Sequence, residues 1–251
     1  MTMTEDRFNK IFSAFILIGM SVCVILSCLG KMQDPDARKP LLIITAFGAL
    51  MGVASTVLSA NGSIWTFLFG LIDVVIYSII LYDSKMPSQF LLHVLYFLPM
   101  EIIGFFQWRK RGASSSTKVK AQRLKGIKWL WYCLLFVGVY AASFALSYFI
   151  SDKRDVVDLP KTLLDALVTT CNIVALVMMA FAYLEQWYVW TMVNVSSVIL
   201  WTVTLLTNPG ADYAVIPLVK YSFYFINGIN GIRIWLKLSR EETNCNSCEI
   251  Q

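Results

Sequence analysis

Eight apolar stretches alternate with short polar ones along the chain, at roughly 11–30, 41–60, 64–82, 89–107, 127–150, 162–184, 187–207 and 213–236. Each is close to the length of about 20 residues that crosses a bilayer core of roughly 30 Å as a helix. The apolar positions are consecutive and do not alternate, which excludes the strands of a membrane β-barrel. The pattern predicts an all-α, polytopic membrane protein with eight transmembrane helices. The first stretch follows Arg7 and Lys10, as a signal core would. It is longer than such a core, however, and "GKMQDPDARKP" after it offers no small-residue cleavage site, so it reads as a retained helix.

The connections differ in kind. "NGS" (61–63) and "LEQ" (184–186) are so short that their flanking helices form tight antiparallel hairpins, while "YDSKMPSQ" (82–89) and "TNPGAD" (207–212) are turns marked by Pro or Gly. The longest connection, "RKRGASSSTKVKAQRLKGIK" (109–128), reads as flexible and holds eight of the 21 Lys and Arg. Positive charge stays on the cytoplasmic side. That places this loop inside, together with both termini, Arg7, Lys10, Lys237 and Arg240. Lys31, Arg38, Lys39, Lys85, Lys153, Arg154 and Lys161 fall outside, accompanied by Asp34, Asp36, Asp152, Asp155 and Asp158.

The spacing of spans 2 to 4 echoes that of spans 6 to 8. "IWTFLFGLIDVVIYSIILY" aligns with "VWTMVNVSSVILWTVTLL", matching Trp65–Thr66 to Trp190–Thr191. "PMEIIGFFQW" then meets "INGINGIRIW", pairing Gly104 with Gly231 and Trp108 with Trp235. Three crossings reverse the chain and one linker helix restores the starting side, so the two units are parallel repeats of the kind found in SWEET sugar transporters. The expected organisation is one plus three plus one plus three: an additional helix and loop (1–40), a first three-helix repeat (41–108), the basic loop and linker helix (109–161), a second repeat (162–238) and a tail (239–251). Such folds hold a substrate at the repeat interface near mid-membrane.

Composition agrees with the pattern: 57% of the 251 residues are hydrophobic and 15% charged, against about a quarter charged in soluble domains. Of the six cysteines, Cys23, Cys28, Cys133 and Cys171 lie in apolar runs as small buried groups. Cys245 and Cys248 make a C-x-x-C in a tail expected to be unstructured, and two ligands alone do not close a zinc site. The lone histidine, His93, reads as a packed or interfacial residue. No metal or other cofactor is expected, and nothing points to nucleic acid.

Polar residues inside apolar spans are costly and normally face the protein interior. On a helix, Trp187, Trp190, Asn194 and Trp201 fall on one stripe about 60° wide. An interfacial belt accounts for Trp187 but not for Asn194, two turns deep on the same face. Asn227 and Gly231 lie one turn apart in the last span, where amides and small residues also serve helix packing. Gln107, at the inner end of span 4, aligns with Ile234 and breaks the symmetry. Asp73 and Glu101 are intramembrane acids that require a partner, with Lys220 or Arg233 as candidates, or a wet cavity. Pro99 is placed to kink its helix beside such a cavity. Aromatic faces, amides and carboxylates together suit a small, flat, hydrogen-bonding, cationic molecule.

Trp187-x-x-Trp190-x-x-x-Asn194, followed by a last span with Asn227-x-x-x-Gly231 and Trp235, resembles the PnuC family of bacterial nicotinamide riboside transporters, and the resemblance covers nearly the whole chain outside the tails and 109–128. It implies a SWEET-like vitamin facilitator of the bacterial inner membrane, without an ATPase domain, forming a homo-oligomer (a trimer). It also implies uptake made one-way by a cytoplasmic nicotinamide riboside kinase. Trp187 and Trp190 would wall in the pyridinium ring and Asn194 would pair the carboxamide or ribose. Gln107 and Asn227 would complete the polar contacts, with Asp73, Tyr77 and Glu101 close behind.

A carrier of a sugar or another vitamin is the nearest alternative, though a neutral sugar would not call for so much aromatic and acidic character. An enzyme is not expected. With one histidine and no H-E-x-x-H, hydrolytic metal chemistry lacks its ligands, and a dyad of Asp73 and Glu101 would have to form between separate helices. No filter-like sequence suggests a channel.

Overall fold

The computed structural model describes residues 3–35, 38–83, 87–150, 159–207 and 215–248. Among them the chain forms eight helices and, in place of any sheet, one isolated bridge between Gln122 and Tyr183. The helices are α1 (Met3–Met32), α2 (Lys39–Ala60), α3 (Trp65–Asp83), α4 (Pro87–Leu92 continuing through His93–Phe97 into Leu98–Lys110), α5 (Ile127–Ile150), α6 (Leu159–Ala180), α7 (Gln186–Thr207) and α8 (Val215–Cys248). Glu5–Met32, Lys39–Ala60, Trp65–Asp83, Phe90–Lys110 and Ile127–Leu146 are each long and apolar enough to cross a membrane, and Ala166–Ala180 is a shorter apolar helix. The turn at 208–212 and the charges Asp36, Lys85, Asp152, Lys153, Arg154, Asp155 and Asp158 lie outside the described residues.

Two ends differ from expectation. α1 begins well before residue 11, and α8 continues to Cys248 through the segment expected to be unstructured. Inside α4, His93–Phe97 is a π-helical turn in which the Leu98 N–H donates to the His93 carbonyl. Pro99 follows directly. It has no N–H to give the carbonyl four residues back, and its ring clashes with that carbonyl, so a widened turn is how the helix passes the proline.

Neighbouring contacts run α2–α3–α4–α6–α7–α8 and back to α2, a closed ring of six helices. α1 lies outside it against α2 and α8, and α5 lies outside against α6. α1 is held by Gly19, whose face is filled by the Phe223 ring, and by polar ties from its first turns: Arg233 to Asn9, Lys237 to Glu5, and Asn61 to the Ser13 hydroxyl at 2.8 Å. Arg233 is thereby engaged with α1 and with Asn230, and does not serve Asp73 or Glu101.

One set of contacts occurs twice. Gly104 of α4 receives the edge of Phe67 from α3, and the Trp108 indole N–H donates to the Met179 carbonyl at the end of α6 at 2.7 Å. Gly231 of α8 receives the ring of Trp187 from α7, and the Trp235 indole N–H donates to the Ser59 carbonyl near the end of α2 at 3.0 Å. The turns after α2 and α6 each contain a left-handed residue, Gly62 at φ 69° and Ala182 at φ 58°. The pairings of Gly104 with Gly231 and Trp108 with Trp235 thus have matching surroundings. On α3 and α7, however, the residues in matching positions are Phe67 and Trp187, so the sequence match of Trp65 to Trp190 is out of register with the contacts.

The basic connection is ordered, contrary to the flexible loop expected. The Val119 N–H donates to Gly62 O at 3.0 Å, Gln122 N–H to Ala182 O at 2.9 Å, and Leu184 N–H returns a bond to Gln122 O at 2.9 Å. The Gln122 side-chain amide reaches Phe181 O, Leu124 N–H reaches the Glu185 carboxylate, and Arg123 reaches the Ser239 hydroxyl. Ala113, Val119 and Ala121 are buried in the same cluster as Phe67, Trp108, Trp187 and Trp235. The segment is a strap across the end of the bundle, joining the turn after α2 to the turn after α6.

Two outcomes follow for stability, each read from thermal unfolding in detergent. Gln122→Pro removes a backbone donor at the strap's centre and should cost about 1–3 kcal/mol, whereas Gln122→Ala, which keeps the backbone bonds, should cost about 1 kcal/mol. A Cβ at Gly231 would stand 2.7 Å from Trp187 ring carbons, whereas one at Gly228 would meet the Thr191 hydroxyl at 3.2 Å and the Asn194 amide at 3.9 Å. Gly231→Ala should therefore destabilise by about 1–3 kcal/mol through overpacking, and Gly228→Ala by clearly less.

Candidate functional site

The six ring helices enclose a cavity of about 630 Å³. At the strap end lies an aromatic layer, of which Trp187 lines the cavity: Phe67 edge-on to Trp108 at 4.9 Å, Trp108 to Trp235 at 5.4 Å and Trp187 to Trp235 at 6.3 Å between centroids. From there the cavity rises past Asn194, Asp73 and Glu101 to Tyr77, His93 and Lys220.

Of the residues singled out from sequence, Trp187, Trp190, Asn194, Asp73, Tyr77 and Glu101 line this one space. Trp187 is 3% exposed, its indole N–H has no hydrogen-bond partner, and its ring lies on Gly231. Helical position explains the set: Trp187, Trp190 and Asn194 share one face of α7, and that face points into the ring. Tyr77, packed against His93 at 5.0 Å, reaches the cavity while 45% exposed.

Asn227 and Gln107 are not among the lining residues. Asn227 is buried at 1% exposure, and its amide donates to the Thr56 carbonyl at 3.4 Å. Thr56 itself lines the cavity and bonds the Gly52 carbonyl, so Asn227 braces the α2 wall from behind. Gln107 is half-buried next to Trp108 in the chain.

The acids are seated by glycines. Asp73 lies against Gly48 and Gly52 of α2, where a Cβ at Gly52 would stand 2.6 Å from its carboxylate. Glu101 lies against Gly70 of α3, where a Cβ would meet both carboxylate oxygens at 2.8 Å. A side chain larger than hydrogen at either place would displace the carboxylate.

Sequence reading missed Asn172, Tyr221 and Tyr224 as lining residues and weighed Lys220 only as a partner for the acids. Asn172 turns its amide N–H to the Val168 carbonyl of its own helix. The rule that singled out Asn194, an amide deep in an apolar run, applies equally to Asn172. Tyr96, from the π-turn, bonds Ile173 O at 2.6 Å and fixes α4 against α6 beside it.

The arrangement holds no cluster of metal-ligating side chains among the described residues. It offers stacking faces, amides and carboxyl groups facing a chamber.

Comparison with known proteins gives the family. Residues 42–237 match the family model described as nicotinamide mononucleotide transporter. The chain is 30% identical to the nicotinamide riboside transporter PnuC of Neisseria mucosa, over 80% of this chain and 74% of that protein. It is 25% identical to PnuC of Haemophilus influenzae over 93% of this chain and 95% of that protein. A crystal structure titled as the vitamin B3 transporter PnuC superposes with a TM-score of 0.62 at 26% identity, covering 90% of this chain and 92% of the other. With most of its length inside one family model and its helices laid out as in that solved transporter, the chain belongs to the PnuC family of membrane transporters.

Proposed function

We propose that this chain carries nicotinamide riboside across the bacterial inner membrane by facilitated diffusion. The observation that supports it most is the convergence of Trp187, Trp190 and Asn194 on one cavity of about 630 Å³, within the range of about 300–1,000 Å³ typical of small-molecule sites. The relatives from Neisseria mucosa, Haemophilus influenzae and Escherichia coli are named nicotinamide riboside transporters. In this reading the indoles wall in the pyridinium ring and Asn194 pairs the carboxamide or ribose. Tyr77, Asp73 and Glu101 face the remaining polar surface, and Asn227 acts through Thr56. Gln107 reaches the ligand only in a conformation in which the aromatic layer has parted.

The eight helices cross the membrane as one plus three plus one plus three, with both termini and the strap in the cytoplasm. The doubled glycine–aromatic and indole contacts favour two parallel three-helix repeats, with α5 as linker. Alternating access then comes from one half rocking against the other about the cavity. A cytoplasmic kinase that phosphorylates the riboside would add charge that the apolar route rejects, trapping the product. As in the family resemblance, the assembly is a trimer.

Uptake of labelled nicotinamide riboside into proteoliposomes tests the reading. Saturable entry without ATP or an ion gradient is expected. Entry no faster than into empty liposomes, with a sugar or another vitamin carried instead, would refute the substrate. Asn194→Ala should weaken binding by at least about 1 kcal/mol, roughly fivefold, by titration calorimetry. An unchanged affinity in the folded variant would remove Asn194 from the ligand.

A further inference from the structure

The turns after α2 and α6 are alike down to single hydrogen bonds. Gly62 N–H donates to Ser59 O and Ala182 N–H to Met179 O, while Ser63 N–H donates to Leu58 O and Tyr183 N–H to Met178 O. Thr66 N–H donates to Ser63 O, and Gln186 N–H to Tyr183 O. Residues 120 positions apart (62 and 182, 63 and 183, 66 and 186) therefore stand in the same place, and Phe67 with Trp187 keeps that interval. By the same interval Thr66 corresponds to Gln186, and Ser55 of α2 to Ala175 of α6.

What fastens the helices differs. Between α2 and α3 two buried hydroxyls make a reciprocal stitch: Ser55 Oγ donates to Thr66 O at 2.9 Å and Thr66 Oγ1 to Ser55 O at 3.0 Å. At the matching place between α6 and α7, Ala175 has no side-chain group to give. Gln186 is 0% exposed, and neither its amide Nε2 nor its Oε1 has a hydrogen-bond partner. Similar atoms gather beside it. Among the described residues, the buried side-chain atoms without a partner belong, Glu101 Oε2 apart, to Glu185, Gln186, Trp187, Thr191 and Asn230. Trp187 and Thr191 face Gly231 and Gly228 of α8. Ala182 adds backbone strain, since it holds φ at 58° where the other turn has Gly62. Buried polar atoms left unpaired are costly, so the α6–α7 joint is the less firmly fastened of the two.

We propose that the α6–α7 joint is where this chain bends when the cavity changes its access, with Gln186 keeping that joint unlatched while α2 and α3 move as one stitched piece. α7 carries Trp187, Trp190 and Asn194 on its cavity face, so a change of angle at 181–186 moves these side chains together. The strap holds Ala182 and Leu184 by their main chain, which fixes the pivot while the helix beyond it swings. Gly228 and Gly231 present no side chain to α7, so the α8 surface lets it shift. Gln186 is not among the cavity-lining residues. It is a positioning residue: its side chain fills the interior between the helices without giving α6 a bond to hold. This inference rests on the transport reading above and names the joint that absorbs the motion, which makes the motion unequal between two otherwise matching helix pairs.

The test has two arms on the full-length protein. In the first, hydrogen exchange is followed by mass spectrometry over the matching segments 55–67 and 175–187, corrected for intrinsic rates. Exchange should be about tenfold or more faster at 175–187, and added nicotinamide riboside should change it there and not at 55–67. Equal exchange in the two segments would overturn the proposal. In the second arm, Ala175→Ser combined with Gln186→Thr writes the α2–α3 stitch into the α6–α7 joint. The maximal uptake rate in proteoliposomes should fall by about fivefold or more, as expected for two hydrogen bonds broken at each opening. Affinity by calorimetry should stay within about twofold. Gln186→Ala, which adds no stitch, should keep the rate within about twofold. A smaller fall in the double variant, an equal fall in Gln186→Ala, or a loss of affinity matching the loss of rate would overturn the proposal. If thermal unfolding shows the double variant misfolded, the exchange arm decides. Failure of the unmodified protein to carry nicotinamide riboside would bring down the transport reading, whereas the ligand-free contrast between the joints is judged on its own.

Discussion

Two buried indoles tie four of the ring helices together, and the packing at the strap end depends on them. Trp108 leaves α4 to bond the end of α6, and Trp235 leaves α8 to bond the end of α2, both fully buried. A buried indole N–H left without an acceptor is costly, and each of these two finds its acceptor at a helix C-terminus. Each indole adds a second donor to a carbonyl that also closes a turn, since Met179 O takes the Ala182 N–H and Ser59 O the Gly62 N–H, both at 2.9 Å. The two rings stack edge to face where they pass, and Phe67 and Trp187 complete the layer.

Above that layer the doubling stops, and chemistry takes its place. α3 carries glycine at Gly70 and so admits the Glu101 carboxylate, while α7 carries indoles and an amide on its cavity face. An acidic wall and an aromatic wall come from related surroundings because a few positions exchange small side chains for large ones. The glycines at Gly48, Gly52 and Gly70 do more than let helices approach. They fix where the Asp73 and Glu101 carboxyl groups sit against the neighbouring helices.

The helices were legible because runs of apolar residues near 20 long admit few other readings, and the cavity face of α7 was legible because period and polarity agree there. Reach was not legible. Asn227 lies on an inward face, yet its amide is taken by the Thr56 carbonyl, and only the packing of α2 on α8 reveals that. Lys220 and Asn172 satisfied the rule that found Asn194, but two residues on separate helices gave no local pattern to connect them. The register of Phe67 with Trp187 escaped for a similar reason: an aromatic-on-glycine contact preserves shape while the aromatic's identity and exact spacing drift. The basic loop was misread because its charge and its Gly and Ser content suggest solvent, whereas its order comes from backbone groups that composition does not register.

That last point bears on how the strap can change over evolutionary time. Its main anchors, Val119 N–H on Gly62, Gln122 N–H on Ala182 and Leu184 N–H back to Gln122, involve main-chain atoms that every residue except proline supplies. Side chains along it can therefore drift widely among relatives without loosening its hold on the two turns. Insertions and deletions cannot, because one residue more or fewer between Val119 and Gln122 would miss one turn or the other. Homologues should keep the strap's length far better than its spelling, so gap placement in an alignment would identify it where residue identity does not.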